Sequence, residues 1–323
     1  MKKQLYLLMV LGTISQLRAQ SYAGITDRPD TSYTNFRAFQ DTKKSYPAIQ
    51  LVMPDSSGVH IQRNLVDGST GYRSLFCDVF SPVSKPVNHI AILMIHGGGW
   101  RSGNRHQHDA LMMELARRGY TCFTPEYRLS TEALFPAAIY DLKAAIRYIK
   151  QNGEKFAIDT TKIVCAGFSA GGELAAFLGV TGNMPLFEGN GGNASVPTNV
   201  QAVIDIDGIL SFVHPESGEG DDSKHISAAT YWFGYPKKGY EKLWEAASTL
   251  SYVNVYTPPT LFINSSVNRM HAGRDDYRAK LRELGIYTEV QSFKDAPHSF
   301  CLFHPWFQST VTDMDQFIKK VFP

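Results

Sequence analysis

The chain has 323 residues, of which 43% are hydrophobic and 12% aromatic, and it carries a formal net charge of +2. This length suits one large α/β domain or two small ones, and the apolar content is sufficient for a substantial buried core. A net charge this small leaves no basic surplus to bind phosphates, so we expect no nucleic-acid partner.

The first 19 residues have the three parts of a secretory signal peptide. Lys2 and Lys3 form a positively charged start, residues 5–11 form an apolar core, and residues 17–19 (LRA) form a cleavage site. The apolar segment is too short for a stable membrane span. We therefore predict a periplasmic or secreted protein without a membrane span once residues 1–19 are removed.

The next two segments precede the main α/β pattern. Residues 20–57 are polar and include Pro29, Pro47 and Pro54, and we expect an irregular N-terminal extension that wraps around a single domain over residues 58–323. Residues 58–82 alternate between apolar and polar positions around the dipeptide Asp67-Gly68. This pattern predicts an antiparallel hairpin that turns at the dipeptide.

From residue 90 onward, short apolar runs alternate with helical spacing. Each run ends at Gly, His, Pro or Asp, as strands that are buried on both faces do. Between the runs, apolar residues recur at helical intervals. This alternation predicts a three-layer α/β/α sandwich with a mostly parallel, twisted sheet of about eight strands. The predicted strands are residues 90–95, 121–124, 163–165, 203–206, 261–263 and 287–293.

Residues 167–171 (GFSAG) form a G-x-S-x-G pattern between a predicted strand and a predicted helix. This context is the one in which a sharp turn holds a serine hydroxyl at the top of a sheet. Side chains at the flanking positions would collide with neighbouring backbone, so glycine is needed on both sides. Ser169 is therefore the candidate nucleophile, and the alternative is a tight glycine-rich connection with an incidental serine.

Residues 97–99 (GGG) directly follow the strand that ends at His96. Acyl transfer develops negative charge on a carbonyl oxygen, and backbone amides without side chains stabilise this charge well. We expect Gly98 or Gly99 to donate one amide and Ala170, just after the nucleophile, to donate the other. We interpret His96 as a structural brace for this loop, and Trp100 as a residue that shapes the acyl pocket.

Together these motifs resemble those of the α/β-hydrolase superfamily, and the resemblance extends along most of residues 58–323. Within it, the segments HGGGW, GFSAGGELA, INSSVNRMHAGRD and PHSFCLFHPWF look most like bacterial carbohydrate esterases related to feruloyl, acetyl and pectin esterases. The resemblance implies a serine esterase that works through an acyl-enzyme. The alternatives are a peptidase of the same fold and a non-catalytic binding module. The binding module is disfavoured because Ser169 and a candidate base, His298, are both present.

The general base is expected after the last strand, where residues 297–300 (PHSF) supply His298. His304 is the alternative, and we interpret it as a packing or pocket residue. The resemblance puts the orienting acid about four residues past the preceding strand, which is Asn268. Asparagine cannot carry the charge that stabilises an imidazolium. Residues 265–274 contain no carboxylate at all, so either the enzyme is weak or the acid comes from elsewhere.

Three carboxylates could supply the missing acid. We rank Asp207 first, because it ends an apolar strand-like run in which an unpaired charge would be costly, and His298 would be a suitable partner. Asp275 is second and lies in the first turn of the next helix, where capping is the simpler explanation. Asp295 is third and is more suited to shaping a turn. A Ser–His pair held by backbone carbonyls is the remaining alternative.

Residues 211–257 form a predicted cap-like insertion that is rich in aromatic side chains. Rings such as Trp232 could stack on sugars, or they could pack the cap onto the domain. Arg269 and Arg274 could bind a substrate carboxylate, or they could pair with neighbouring acids. Together with the signal peptide and the resemblance, these features predict that the substrate is an esterified plant polysaccharide, for example pectin. The ester group removed would be acetyl, methyl or feruloyl.

The four cysteines do not indicate a metal or redox site. Their spacings match no zinc or redox motif, and Cys122 and Cys165 lie inside strand-like runs, where a thiol behaves as a small apolar group. Cys77 and Cys301 could form a disulfide in an exported protein. We expect no metal ion and no cofactor.

Overall fold

The computed structural model describes residues 24–84 and 88–323, so the predicted signal peptide lies outside the described residues. An eight-stranded sheet in the order β2-β3-β5-β4-β6-β7-β8-β9 forms the centre, and β1 pairs with β10 in a separate small sheet. In chain order the strands are β1 (Gln50–Leu51), β2 (Val59–Ser69), β3 (Ser74–Pro82), β4 (Ala91–Ile95), β5 (Thr121–Pro125), β6 (Ile163–Phe168), β7 (Ala202–Ile206), β8 (Thr260–Asn264), β9 (Thr288–Ser292) and β10 (Phe303–His304).

Six neighbouring strands of the large sheet, from β5 to β9, run parallel, while β2 and β3 form an antiparallel hairpin at one edge. Every residue of β4, β6, β7 and β8 is buried, which explains why these strands read as continuous apolar runs. Parallel strands end at the same edge of the sheet. The loops after β4, β6, β7, β8 and β9 therefore meet there.

Helices cover both faces of the sheet. Helices α3, α4 and α7 contribute to the core on one face, and α2 and α8 contribute to the core on the other. The three-layer α/β/α sandwich with a mostly parallel sheet is therefore confirmed. The described helices are α1 (Asn35–Lys43), α2 (Asp109–Arg117), α3 (Ala137–Gln151), α4 (Ala170–Val180), α5 (Ala228–Phe233), α6 (Glu241–Ala246), α7 (Arg274–Glu283) and α8 (Phe307–Val321). Among them, none has the length and apolar character that a membrane crossing requires.

The edge hairpin turns later than the sequence predicts. Strand β2 continues through Asp67-Gly68, which lies at a register shift, and the chain reverses over residues 70–73. Thr70 Oγ1 accepts hydrogen bonds from the amides of Tyr72 (3.2 Å) and Arg73 (3.1 Å). The predicted turn position was wrong because a bulge absorbs Asp67 and this threonine closes the turn instead.

The N-terminal extension is more regular than expected. Helix α1 begins after Thr34, whose hydroxyl accepts a hydrogen bond from the Arg37 amide at 3.2 Å. Upstream of it, Asp30 is bridged to Ser102, and its carbonyl accepts a hydrogen bond from the Gly103 amide at 3.0 Å. The extension is thereby packed against the loop that follows β4.

The insertion at residues 211–257 consists of α5, α6 and a 3₁₀ turn at Thr249–Tyr252. Its largest rings, those of Trp232, Phe233 and Trp244, are buried in the same core cluster as Phe212. The aromatic side chains at these three positions therefore pack the cap onto the domain, which was the simpler of the two interpretations.

All four cysteines are free, buried thiols, so the disulfide that the sequence allows does not form. Cys77 and Cys165 belong to the core on one face of the sheet, whereas Cys122 and Cys301 belong to the core on the other. The sheet itself lies between Cys77 and Cys301, which keeps their sulfur atoms apart.

Candidate active site

Ser169 lies in the sharp turn between β6 and α4. Its backbone has φ 57° and ψ −121°, a conformation that a residue with a side chain rarely adopts. A Cβ atom at Gly167 would lie 1.9 Å from the carbonyl oxygen of Gly171, and one at Gly171 would lie 2.1 Å from that of Ile95. The two flanking glycines are therefore required by the close approach of the backbone, and together they hold the serine at the sheet edge.

A hydrogen-bonded chain runs from Ser169 through His298 to Asp207. His298 Nε2 lies 2.9 Å from Ser169 Oγ, and His298 Nδ1 lies 2.7 Å from Asp207 Oδ2. The imidazole ring also packs on Phe168, with ring centroids 4.9 Å apart. Three separate strand ends, those of β6, β7 and β9, thus bring the three groups together.

Asp207 is fully buried, yet its carboxylate has several hydrogen-bond donors. The Ser265 amide donates to Oδ1 at 2.8 Å, and the Ser265 hydroxyl donates to Oδ2. His271 Nε2 lies farther away, 3.4 Å from Oδ1. Burial works to raise the pKa of Asp207, but His271, His298 and Ser265 together outweigh it and hold the pKa well below the usual range. The group is therefore ionised.

The loop after β8 supplies hydrogen-bond donors where the resemblance would put an acid. Ser265 directly follows β8, which is the neighbour of β7 in the sheet, so its amide and hydroxyl point at the carboxylate at the end of β7. Neither Ser265 nor His271 was recognised from the sequence. The available signal was adjacency: residues that follow neighbouring parallel strands meet at one edge.

The other candidates for the acid and the base lie elsewhere. The Asp275 side chain is 71% exposed and pairs with Arg274 at 3.0 Å. Asp295 accepts a hydrogen bond from Trp306 Nε1 at 3.4 Å, and His304 is an exposed residue of β10. Asn268 begins a 3₁₀ turn, Asn268–His271. Since His298 Nδ1 is already bonded to Asp207, none of them is needed to orient the imidazole.

The glycines after β4 leave backbone amides free beside Ser169. Gly98 and Gly99 have φ +123° and +62°, and a Cβ atom at Gly98 would lie 1.9 Å from the Ser102 carbonyl oxygen. The Gly97 amide donates to Gln107 Oε1 at 2.7 Å. Within residues 24–84 and 88–323, the amides of Gly98, Gly99 and Ala170 donate no hydrogen bond. All three residues line one cavity with Ser169, so their amides are available to an anionic oxygen.

The indole of Trp100 forms part of the cavity wall, whereas Trp232 lies behind it. Trp100 Nε1 donates a hydrogen bond to Glu173 Oε2 at 3.0 Å, and its ring stacks on Trp232 with centroids 5.0 Å apart. Trp232 is fully buried and does not line the cavity. It supports Trp100 rather than reaching a bound molecule directly.

Ser169 and His298 face a cavity of about 250 Å³. Arg269 lies at its wall with a side chain 54% exposed, 3.6 Å from Glu219 Oε1, which lines the same cavity. A substrate carboxylate would compete with Glu219 for this guanidinium. Arg274 is not brought into the cavity, because it is bonded to Asp275 and to Asn264 Oδ1 at 2.8 Å.

Two further carboxyl groups are buried beneath the nucleophile turn. Asp205 Oδ1 accepts a hydrogen bond from the Gly208 amide at 2.7 Å, and Glu173 Oε2 accepts the hydrogen bond from Trp100 Nε1. The second oxygen of each carboxyl has no partner among the described residues. Burial raises the pKa of both groups well above their usual values, which favours their neutral forms.

The sheet order, the turn at Ser169 and the ends of β7 and β9 together define an α/β-hydrolase fold, and solved structures agree. The superposition with a truncated carbohydrate esterase from gut microbiota covers 82% of this chain and 99% of the esterase, with 23% identity and a TM-score of 0.69. The superposition with the esterase Est2 of the Planctomycetes species Thermogutta terrifontis covers 84% of this chain and 96% of Est2, with 23% identity and a TM-score of 0.66. At this level of identity the likeness shows the fold alone.

Sequence comparison gives the family. The BD-FAE family model matches residues 77–270, and the chain belongs to this family. Esterase LipC of Mycobacterium tuberculosis is 35% identical over 133 residues, which are 41% of this chain and 33% of LipC. Esterase LipQ of the same organism is 28% identical over 218 residues, 65% of this chain and 50% of LipQ. The chain thus matches a third to a half of the length of these two curated relatives.

Proposed function

We propose that the protein is a serine carboxylic ester hydrolase. The observation that carries this proposal is the hydrogen-bonded chain from Ser169 through His298 to the ionised Asp207, next to the unpaired amides of Gly98, Gly99 and Ala170. A nucleophile, a base held by an acid, and donors for an oxyanion are the three requirements of acyl transfer to serine. Membership of the BD-FAE family and the names of the matched esterases also support it.

In the acylation step, Ser169 Oγ attacks the ester carbonyl carbon while His298 Nε2 takes the hydroxyl proton. The carbonyl oxygen becomes an anion, to which the free amides donate hydrogen bonds. When the tetrahedral intermediate collapses, the C–O bond to the alcohol breaks, and His298 gives its proton to the departing alcohol oxygen. The acyl group remains as an ester of Ser169.

In the deacylation step, a water molecule takes the place of the alcohol. His298 removes a proton from the water as it attacks the acyl carbon, and the same proton returns to Ser169 Oγ when the acid leaves. In both steps His298 is positively charged for part of the reaction. The buried carboxylate of Asp207, 2.7 Å from Nδ1, stabilises that charge and fixes which ring nitrogen faces the serine.

We further propose an esterified carbohydrate as the substrate. Two solved structures with this fold are described as a carbohydrate esterase from gut microbiota and a bifunctional GH43-CE protein of Bacteroides eggerthii. The cavity of about 250 Å³ suits a small acyl group such as acetyl. Because Glu219 already faces Arg269, we favour esters of neutral sugars over esters of polyuronates such as pectin.

The first experiment compares wild type with Ser169→Ala on p-nitrophenyl acetate. We expect the variant to lose at least roughly 10⁴-fold in kcat/KM. A fluorophosphonate should add its mass to wild type at Ser169 and not to the variant. Equal turnover by the two proteins, with circular dichroism unchanged, would remove the esterase proposal.

The second experiment identifies the substrate. Release of acetate, methanol and ferulate is measured from acetylated xylan, methylated pectin and feruloylated arabinoxylan, with a dipeptide p-nitroanilide as the peptidase control. We expect acetate release to be fastest. Faster cleavage of the anilide than of any ester would indicate a peptidase.

We also propose that the protein is exported, on the basis of residues 1–19 alone. Fractionation of cells that express the full chain should find the esterase activity in the periplasm or the medium. Deletion of residues 2–19 should retain that activity in the cytoplasm.

A further inference from the structure

A second groove lies next to the candidate active site, on the side covered by the N-terminal extension. It has a volume of about 320 Å³, at the lower end of the roughly 300–1,000 Å³ that small-molecule sites occupy. Two of its lining residues carry large apolar side chains that face solvent, Phe36 with 60% exposure and Met53 with 71%. Apolar side chains that face solvent within a concave surface are typical of binding sites.

Tyr33 connects the groove to the active-site cavity, because it lines both. Its hydroxyl oxygen lies 3.4 Å from Ser299 Oγ, and Ser299 directly follows His298. Gln107 also lines the groove, and its side-chain oxygen accepts a hydrogen bond from the Gly97 amide at 2.7 Å. The groove therefore adjoins the active-site cavity at Tyr33, and its lining residues contact both Ser299 and the start of the glycine loop.

The direction of the reaction assigns the groove to one part of the substrate. In acylation, the departing alcohol oxygen takes its proton from His298 Nε2, so the alcohol leaves on the side of the cavity that His298 occupies. Tyr33 contacts the residue next to His298, and the groove begins beyond Tyr33. The alcohol portion of an ester bound at Ser169 is therefore the portion that points toward the groove.

The lining combines apolar faces with polar edges. Phe36, Met53 and Pro54 are apolar, whereas Thr34 and Asn104 are polar. Asn104 uses its Oδ1 atom to accept the His106 amide at 2.9 Å, which leaves its amide nitrogen with hydrogen atoms to donate. A sugar ring has the matching character, because its C–H faces are apolar and its hydroxyl groups lie at the edges.

We infer that the groove beyond Tyr33 is a subsite for the sugar residues attached to the alcohol side of the scissile ester, with Phe36 and Met53 as its apolar platform. This inference rests on the proposed esterase function. It makes the protein selective for an acyl group carried on an oligosaccharide over the same acyl group on a small alcohol.

The test uses one acyl group on two alcohols. The double variant Phe36→Ala/Met53→Ala is assayed on acetylated xylotriose and on p-nitrophenyl acetate. We expect kcat/KM to fall about tenfold on the trisaccharide, mainly through KM, and to change less than twofold on the small ester. Both side chains are mostly exposed, so the variant should fold normally.

The matched control is Tyr72→Ala/Val255→Ala, which removes an aromatic and an aliphatic side chain that are 100% and 65% exposed and line neither cavity. It should leave both substrates unaffected. A direct binding measurement uses isothermal titration of acetylated xylotriose into Ser169→Ala with and without the two groove substitutions. We expect the dissociation constant to rise about tenfold with them.

Three results would overturn the inference: an unchanged trisaccharide rate, an equal loss on both substrates, or a loss on octyl acetate with none on the trisaccharide. The last result would identify an alkyl chain as the occupant. Failure of the esterase proposal itself looks different, because wild type would then neither hydrolyse p-nitrophenyl acetate nor react with the fluorophosphonate. The titration would still report whether the groove binds sugar.

Discussion

Asp205 and Asp207 lie two residues apart at the end of β7, and both are fully buried, but their surroundings differ. Asp207 faces two imidazoles and the Ser265 amide and hydroxyl, and its pKa lies well below the usual range although burial works to raise it. Asp205 has the Gly208 amide as partner for one oxygen, and burial raises its pKa well above the usual value. Burial is common to both carboxyl groups, so the number of donors determines which of them is charged.

This difference separates a group suited to catalysis from a group suited to packing. A carboxylate that is ionised before the reaction can stabilise an imidazolium as soon as it forms. A protonated carboxyl cannot, but it can fill the tight space between β7 and α4, where a Cβ atom at Gly172 would lie only 2.2 Å from Asp205 Oδ1. The following substitutions test that separation.

The largest effect is expected from Asp207→Asn. The amide keeps the shape of the side chain but cannot stabilise an imidazolium, and it favours the wrong imidazole tautomer, so kcat should fall about 10³- to 10⁴-fold. The measurement is the steady-state rate on p-nitrophenyl acetate, with Asp275→Asn as the control at an exposed carboxylate. A loss of less than tenfold for Asp207→Asn would mean that another group is the acid that orients His298.

A smaller loss is expected from Ser265→Ala, which removes the hydroxyl donor to Asp207 while its backbone amide remains. Loss of one hydrogen bond to a charged group should lower kcat roughly tenfold. Ser266→Ala is the matched control, because that hydroxyl donates instead to the Ala296 carbonyl at 2.8 Å. Equal effects of the two substitutions would mean that the loop acts through its packing alone.

A still smaller effect is expected from His271→Phe. The imidazole lies 3.4 Å from Asp207 Oδ1, farther than His298, so we expect about a threefold loss of kcat. Combination with Ser265→Ala distinguishes its role: if both side chains act through Asp207, the loss of kcat in the double variant should differ from the product of the two single losses. Independent, multiplicative losses would assign His271 a role in packing only.

The smallest effect on activity, less than about twofold, is expected from Asp205→Asn. The effect of this substitution on stability should depend on pH. Because the folded-state pKa of Asp205 is raised, wild type loses stability as the pH rises above the ordinary aspartate value of about 4. The asparagine variant lacks this loss. The difference in Tm, variant minus wild type, should therefore be larger at pH 8 than at pH 5, by roughly 2–5 °C.

The control for that measurement is Asp275→Asn, for which the sign is opposite. The hydrogen bond from Arg274 lowers the pKa of Asp275, so its contribution is present above the ordinary pKa and is lost as the pH falls through the folded-state value. This contribution is small because the carboxylate is mostly exposed. If Asp205→Asn lowered Tm more at pH 8 than at pH 5, Asp205 would be ionised in the fold.

Features that depend on backbone period and spacing were predictable from the sequence. The buried strands β4, β6, β7 and β8 appear as apolar runs, and the glycines around Ser169 and after His96 mark the close backbone approaches. Asp207 was ranked first as the acid because a buried charge needs a partner, and its partner in the structure is His298. These inferences need no knowledge of side-chain conformation.

Features that depend on side-chain packing were not predictable in the same way. Trp232 could have faced a substrate or the core, and it lies in the core behind Trp100. Arg274 was a candidate for binding a carboxylate, but Asp275 and Asn264 already hold it. The donors from Ser265 become visible only when β7 and β8 are known to be neighbours.

The separation of the cysteines by the sheet has a practical consequence. Because no cross-link contributes to the fold among these four thiols, recombinant production needs no oxidising conditions or disulfide isomerase. Each sulfur reacts with an alkylating reagent only when its own layer opens. Alkylation of Cys77 and Cys165 would report the opening of the core on one side of the sheet, and alkylation of Cys122 and Cys301 the opening on the other side. The order in which the four thiols are alkylated would therefore show which helix layer separates first during unfolding.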